Sequence, residues 1–261
     1  MTDHRTRRSH AGRRVLITGA GAGIGEAIAR GFAARGAQVG VADIDGSAAE
    51  GTARTIEEAG GSALALPLDV ADYGAVDRAC TDAAKALGAP FDTVVNNAGI
   101  SPKHDGRAHR VWEMDPGEWT RVLGVNLTGS FNTIRALVPA MREAGQGWIV
   151  NLSSVAGKTY SPIVACHYAA TKSAIIGFTK HLAAELGPDG IRVNALAPGR
   201  IATPMVRGVA QAVNDEQIAM TPLGRLGEPA EVADAAIWLT DDESSFVTGQ
   251  TLDVAGGLYL T

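Results

Sequence analysis

Tyr168 and Lys172 stand four residues apart in HYAATKSAIIGF, and Ser153 and Ser154 close an apolar run, WIVNLSS, a short way upstream. Four residues make about one helical turn, so a phenol and an ammonium at that spacing share one face of a helix. A cation beside a phenol favours the phenolate and draws its pKa down from about 10. A serine hydroxyl delivered from a strand end can hold the oxygen that the phenol protonates or deprotonates. The chemistry is proton transfer. What it serves must come from the elements that position it.

Short apolar runs alternate with longer helical patterns along the chain. Strands are expected at 13–18, 37–43, 63–69, 91–96, 147–153, 191–197 and 251–254, and helices near 23–35, 46–59, 72–88, 117–143, 165–187 and 229–240. The runs are nearly continuous Val, Ile, Leu and Ala, as in parallel strands covered on both faces. Gly36 and Gly60 mark helix ends and Asp72 a helix start. This alternation predicts an α/β fold: a doubly wound, Rossmann-like parallel sheet of about seven strands flanked by helices. With no repeat or linker, 13–261 reads as a single dinucleotide-binding catalytic domain. The basic stretch 1–12 reads as a disordered arm.

The first run leads directly into Thr18-Gly19-Ala20-Gly21-Ala22-Gly23-Ile24-Gly25 and then a helix. Glycines permit positive φ and close approach of a pyrophosphate, and the helix N-terminus supplies amide hydrogens and positive dipole. The spacing is TGxxxGxG rather than strict GxGxxG. Asp43 ends the second run, where a carboxylate accepts hydrogen bonds from ribose hydroxyls and repels a 2′-phosphate. Asp45, nearer the next helix, is the better helix cap. Ala22 and Ile44 offer no cation for a phosphate. The reading is NAD in preference to NADP.

Composition narrows the partners. With 46% hydrophobic residues and 32 glycines among 261, the chain has enough apolar material for a large core and many tight turns. A net charge of −5 disfavours nucleic acid and anionic membranes. Cys80 and Cys166 form no disulfide framework and no metal spacing, which suits a reducing, cytoplasmic compartment. The six histidines show no metal spacing either, so no metal is assigned. No apolar run approaches the roughly 18 residues of a membrane span. The first fourteen residues carry five arginines but no apolar segment of a secretory signal.

Taken in order, TGAGAGIG (18–25), LDV (68–70), NNAG (96–99), VNLTG (125–129), NLSS (151–154), YAATK (168–172), VNALAPGRIATPM (193–205) and LDVAGG (252–257) closely resemble the short-chain dehydrogenase/reductase family over almost the whole chain. The resemblance implies a catalytic tetrad of Asn126, Ser154, Tyr168 and Lys172. It implies that Asp69 and Val70 meet the adenine and that Asn96 through Gly99 (Asn96, Asn97, Ala98 and Gly99) line the adenosine ribose. Lys172 would also hold the nicotinamide ribose, and Pro198, Gly199, Ile201 and Thr203 the nicotinamide end. Asn126 would kink the 117–143 helix and hold a water that links Lys172 to solvent. The family's serine usually falls where this chain has Val155. Ser154 is therefore preferred, with the extra residue placed in GKTYSPIVA and Ser153 as the runner-up. The 100–126 segment, with His104, His109 and Trp112, looks longer than the family pattern and is expected to reshape the entrance.

Other residues receive plainer expectations. His167 points about 100° away from Tyr168 on a helix, and Cys166 reads as a small buried side chain or pocket wall rather than a nucleophile. Met205, Val206, Val209, Val213, Ile218 and Met220 make either core or an apolar lid, at about 203–222. The family resemblance implies a homotetramer built through 117–143 and 165–187. Apolar stripes there (Ile134, Leu137, Val138; Ile176, Phe178, Leu182) suit that or simple core packing. The leading functional expectation is an NAD-dependent oxidoreductase acting on a secondary alcohol or ketone. A 3-oxoacyl thioester reductase using NADPH is the runner-up, and an NAD-sensing protein without turnover is the rival of another class.

Overall fold

The computed structural model describes residues 10–207 and 211–260. Seven strands, β1 (Arg14–Thr18), β2 (Gln38–Asp43), β3 (Ser62–Pro67), β4 (Thr93–Asn96), β5 (Gly147–Leu152), β6 (Ile191–Pro198) and β7 (Thr251–Val254), form one sheet in the order β3-β2-β1-β4-β5-β6-β7. Every pairing is parallel. Strand order reverses between β1 and β4, and the crevice beyond the carboxyl ends at such a switch point is where ligands bind in this architecture.

Successive strand residues face opposite layers. On β1, Val15 and Ile17 pack with Ile28 and Phe32 of α1 (Gly23–Ala34), together with Val232 and Ile237 from α9 (Pro229–Thr240). Leu16, between them, packs on the other face with Val76 of α3 (Tyr73–Leu87), Ile134 and Leu137 of α5 (Gly129–Ala144), and Leu182 of α6 (Cys166–Leu186). Ile134, Leu137 and Leu182 are therefore core residues. Side-chain caps fix the helix starts: Asp45 accepts from Ser47 and Ala48 at α2 (Gly46–Glu58), and Asp72 accepts from Ala75 at α3.

Three places differ from expectation. The single 117–143 helix is instead α4 (Pro116–Leu123), a π turn (Gly124–Thr128) and α5. The wider turn centres on buried Asn126, and such single π turns recur at functional positions in helices. Ordered packing begins before Arg13, because His10 is fully buried, bonds Thr240 through Nε2 at 3.0 Å and packs edge-on against Phe32. The remaining arm, 1–9, lies outside the described residues.

The third difference is the segment after β6, which forms α7 (Pro204–Arg207) and α8 (Gln211–Met220). The buried residues of α8 are Asn214 and Gln217, whereas Met220 is exposed and Val213 and Ile218 are half-buried. Polar anchors, not an apolar stripe, seat this helix. Val206 is buried, and Val209 falls outside the described residues. Among the described residues no helix is long and apolar enough to cross a membrane.

Candidate active site

The glycine turn between β1 and α1 is shaped by close approach. Gly19 and Gly23 have φ of +62° and +60°, a region that L side chains rarely enter. A Cβ on Gly25 would lie 2.1 Å from the Gly19 carbonyl oxygen, so α1 can rest against β1 only without a side chain there. Ala22, the N-cap of α1, offers no side-chain acceptor, so first-turn amides carry no side-chain cap. Unfilled amides at a helix start, reached through bare glycines, fit the pyrophosphate of a dinucleotide. Ile24 follows in the same first turn.

Asp43 is held at the end of β2. Its Oδ2 accepts from Gly21 N at 2.8 Å and its Oδ1 from Asp45 N at 3.0 Å, which ties the carboxylate to the glycine turn. Ile44 beside it is 74% exposed and open to an aromatic base. Asp69 accepts from Ala71 N at 2.9 Å, and buried Val70 packs where a Cβ on Gly129 would stand, 2.6 Å from Cγ2. These groups share the carboxyl-end edge of β1–β3.

The NNAG segment divides its labour in a way the sequence did not reveal. Asn96 was expected to line the ribose, but its side chain is buried in a polar ladder. It donates to Asn151 Oδ1 at 2.9 Å and accepts from Thr133 at 2.6 Å, while Asn151 donates to Thr179 at 3.0 Å. Its neighbour Asn97 does the positioning. Asn97 Nδ2 donates to the carbonyls of Thr18 and Gly19 at 3.0 and 2.9 Å, and the Thr18 hydroxyl accepts from the amides of Asn97 and Ala98. Only a side-chain amide facing a bent turn can do this, and sequence spacing carries no signal for it. Ala98 lies under Gly19, and Gly99 faces the catalytic cluster, where an added Cβ would stand 3.5 Å from both Asn126 Oδ1 and Lys172 Nζ.

The residues of the expected tetrad converge at the end of β5. The Ser154 hydroxyl lies beside the Tyr168 phenol, close enough to draw its pKa downward, and accepts from Ala156 N at 3.1 Å within a 3₁₀ turn, Val155–Gly157. Ser153 instead donates to the Lys172 carbonyl at 2.7 Å and pins α6 to the sheet. Lys172 Nζ donates to the Leu152 carbonyl at 2.6 Å and lies 5.6 Å from the Tyr168 ring centre. Asn126 bonds Ile100 in both directions, accepting its N–H at 2.8 Å and donating to its carbonyl at 3.0 Å. It thereby holds the segment after β4 against α6. Pro198 ends β6 and Gly199, Ile201 and Thr203 follow it, and Thr203 Cγ2 is 3.4 Å from where a Gly23 Cβ would stand.

Electrostatics corrects one expectation. The Tyr168 pKa is raised, not lowered: burial dominates and the Ser154 hydrogen bond opposes it only in part. The reason is that Lys172 aims its ammonium at Leu152 and is itself desolvated, which pushes it down to about 8. In the unfolded chain it titrates near its ordinary value of about 10.4. Between those two values the unfolded chain binds the extra proton, so this group's contribution to stability rises with pH across about 8 to 10.5. Below that window the buried charge costs about 3 kcal/mol. A Lys172→Met variant is expected to lack the rise. Urea unfolding of both proteins at about pH 8 and about pH 10 checks this, and parallel pH dependence would contradict it. The comparison cancels buried Cys80, whose thiol is pushed up to about 12.

The 100–126 segment packs against α6 through Glu118. Glu118 on α4 accepts from His104 Nε2 at 2.6 Å and His167 Nε2 at 3.0 Å, which lowers its pKa, the His167 bond first. His167 is fully buried and turned from Tyr168 toward Glu118; Cys166 before it faces out and is exposed, not buried as expected. The fold brings His104, His109 and Glu118 ligand atoms within 4.8 Å of one another, a grouping absent from linear spacing. The two histidine rings stack face to face, 3.5 Å apart and 6° from parallel. In-plane nitrogen lone pairs of parallel rings do not converge on one ion.

Known proteins align with this chain from the glycine turn to the last strand. A family model described as "Enoyl-(Acyl carrier protein) reductase" matches residues 19–259. A (3R)-3-hydroxyacyl-CoA dehydrogenase of Canis lupus familiaris is 38% identical over 253 residues, covering 94% of this chain and 95% of its own. The crystal structure of a 3-oxoacyl-[acyl-carrier protein] reductase from Brucella melitensis ATCC 23457 superposes with a TM-score of 0.95 at 66% identity, covering 98% of this chain and 95% of that one. A Brucella melitensis 3-oxoacyl-[acyl-carrier protein] reductase with bound NAD gives 0.93 at 64% identity, with the same coverages. Likeness of that extent, continuous through the nucleotide turn and the Tyr168–Lys172 helix, means that the chain belongs to the short-chain dehydrogenase/reductase family of oxidoreductases acting on hydroxyl and keto groups.

Proposed function

We propose that this enzyme interconverts 3-oxoacyl and 3-hydroxyacyl thioesters with NAD(H). The observation that carries the reading is the Ser154 hydroxyl beside the Tyr168 phenol, with Lys172 Nζ 5.6 Å from the phenol ring, at the carboxyl end of β5. Sequence alone favoured an unspecified secondary alcohol, because a thioester reductase was expected to need NADPH. The Brucella melitensis reductase that carries NAD removes that objection, and the named relatives favour the thioester reaction.

In this mechanism Ser154 donates to the substrate oxygen and fixes its position, and Tyr168 delivers the proton to that oxygen in reduction. Burial keeps the phenol protonated at rest, so it is loaded as an acid. Lys172, mainly ammonium at neutral pH, stabilises the phenolate left behind. Asn126 holds the Ile100 segment against this cluster. The nicotinamide, when bound, supplies or accepts the hydride. Gly19, Gly21, Gly23, Ile24 and Gly25 would cradle the pyrophosphate and Asp43 the adenosine ribose. Ile44, Asp69, Val70, Ala98 and Gly99 would flank the adenosine, with Pro198, Gly199, Ile201 and Thr203 at the nicotinamide end. The Ser154–Tyr168 contact favours catalysis over a sensing role without turnover. Assembly into a homotetramer would use half-exposed Phe131 on α5, since Ile134 and Leu137 are already in the core.

Reduction of acetoacetyl-CoA, followed by loss of nicotinamide absorbance with NADH and NADPH in parallel, tests the reading. Asp43 beside a 2′-phosphate costs charge repulsion, so the wild type is expected to prefer NADH in kcat/KM by about a hundredfold, roughly 2.7 kcal/mol. Asp43→Ser is expected to narrow the gap at least about tenfold. Equal use of both cofactors by the wild type would remove the NAD assignment, and no turnover of any oxoacyl thioester would remove the substrate class.

A further inference from the structure

Lys103 and Arg200 lie on the segments that leave β4 and β6, the two strands flanking β5 and its Ser154 end. Lys103 Nζ reaches across to the carbonyl of Ile163, between Ser154 and Tyr168. Arg200 donates from Nε and Nη2 to Asn214 Oδ1 on α8, at 3.1 and 2.8 Å, and Asn214 is buried and donates to the Val206 carbonyl at 3.3 Å. Both cations are half-buried, and their bonds among the described residues are to neutral oxygens only. Burial lowers both pKa values, and the charge of Arg200 lowers Lys103 further.

Two like charges taken partly out of water, near each other and without a counter-ion, are costly to the folded protein. Part-buried Lys158 and Arg14 meet carboxylates, Asp253 at 2.6 Å and Asp92 at 3.5 Å, whereas Lys172 and Arg192 are taken up by backbone carbonyls within the fold. Among the described residues Arg200 Nη1 makes no hydrogen bond while Asn214 fixes the plane of the guanidinium, and a fixed guanidinium edge suits the paired oxygens of a carboxylate or phosphate. Two residues before Lys103, the Ser101 hydroxyl is buried with no hydrogen-bond partner. Lys103, Arg200 and Ser101 thus supply donors, while the nearby Glu118 carboxylate is taken up by His104 and His167.

We infer that Lys103 and Arg200 bind an anionic group of the substrate, a carboxylate or a phosphate. The inference rests on the oxoacyl reading and sharpens it. Two sources share this chemistry: the free carboxylate of a 3-oxo acid and a phosphate of the thioester's carrier arm. In either case the anion clamps one end of the substrate while Ser154 and Tyr168 act on its ketone.

Steady-state kinetics with NADH on acetoacetate, acetoacetyl-CoA and the uncharged acetoacetyl-N-acetylcysteamine test it, in the wild type, Lys103→Gln and Arg200→Gln. One anionic substrate is expected to exceed the uncharged thioester by at least about tenfold in kcat/KM. That advantage is expected to vanish in each variant through KM, with the uncharged thioester unchanged within about twofold. Preference for acetoacetate identifies a carboxylate; preference for acetoacetyl-CoA identifies a phosphate. Equal use of all three by the wild type, or variant losses as large on the uncharged thioester, would overturn the inference. If none of the three turns over, the oxoacyl reading fails, and the cation pair is then judged by heat denaturation with NAD present. Malonate or inorganic phosphate should raise the wild-type Tm but not that of the double variant, and no rise overturns the pair as well.

Discussion

Replacing Tyr168 with phenylalanine is expected to lower kcat by about a thousandfold while leaving NADH affinity unchanged, since positioned proton transfer contributes roughly 10² to 10⁴. The ring stays to fill its half-buried place, and only the hydroxyl that meets Ser154 is removed. The loss should fall on kcat and kcat/KM alike, the mark of an interaction made in the transition state. Because burial raises the phenol's pKa, wild-type oxidation of a 3-hydroxyacyl thioester should accelerate with rising pH as phenolate forms, whereas reduction at neutral pH should not need it. Absorbance assays in both directions, with a fluorescence titration of NADH, check these points. Activity of the variant within about tenfold of wild type would show that another group moves the proton.

Gly25→Ala should be the most damaging of the small substitutions. Its Cβ would stand 2.1 Å from the Gly19 carbonyl oxygen and 2.6 Å from Asn97 Nδ2. Neither neighbour can yield, because Asn97 is itself bonded to the Thr18 and Gly19 carbonyls. Overpacking against yielding side chains costs about 1 to 3 kcal/mol, and against a backbone turn at least the upper value is expected, with dinucleotide binding lost. Gly51 provides the contrast. It sits on exposed helix α2 with nothing within 4 Å of an added Cβ. Gly51→Ala is therefore expected to stabilise by roughly 0.5 to 1 kcal/mol. Urea unfolding of both variants would reveal the opposed signs. A Gly25→Ala protein as stable as wild type would mean that α1 can lift from β1 without cost.

The sheet was legible because its strands are short, apolar and separated by helix patterns, so order and layering follow from chain connectivity. Ser154 was separable from Ser153 only in three dimensions, since the choice depends on which hydroxyl is already used by the Lys172 carbonyl. The broken helix was half-visible: Asn126 announced a disturbance, but periodicity cannot distinguish a kink from a π turn. The role of Asn97, the inward turn of Asn96 and the burial of His10 left no pattern in the sequence. Each depends on a partner far along the chain: Thr18 for Asn97, Asn151 for Asn96 and Thr240 for His10. Tyr168 misled because helical spacing shows which groups share a face but not how far water has been driven from them.

The ladder Thr133–Asn96–Asn151–Thr179 crosses the middle of a largely apolar sheet. Apolar neighbours would tolerate a two-residue slip of β5 along β4, because alternation restores the same faces. Amides do not, since a slipped Asn151 would strand polar atoms without partners at about 1 to 3 kcal/mol each. The ladder thus acts as a ratchet tooth that sets where β5 stops, and so the height at which its terminal hydroxyl is presented.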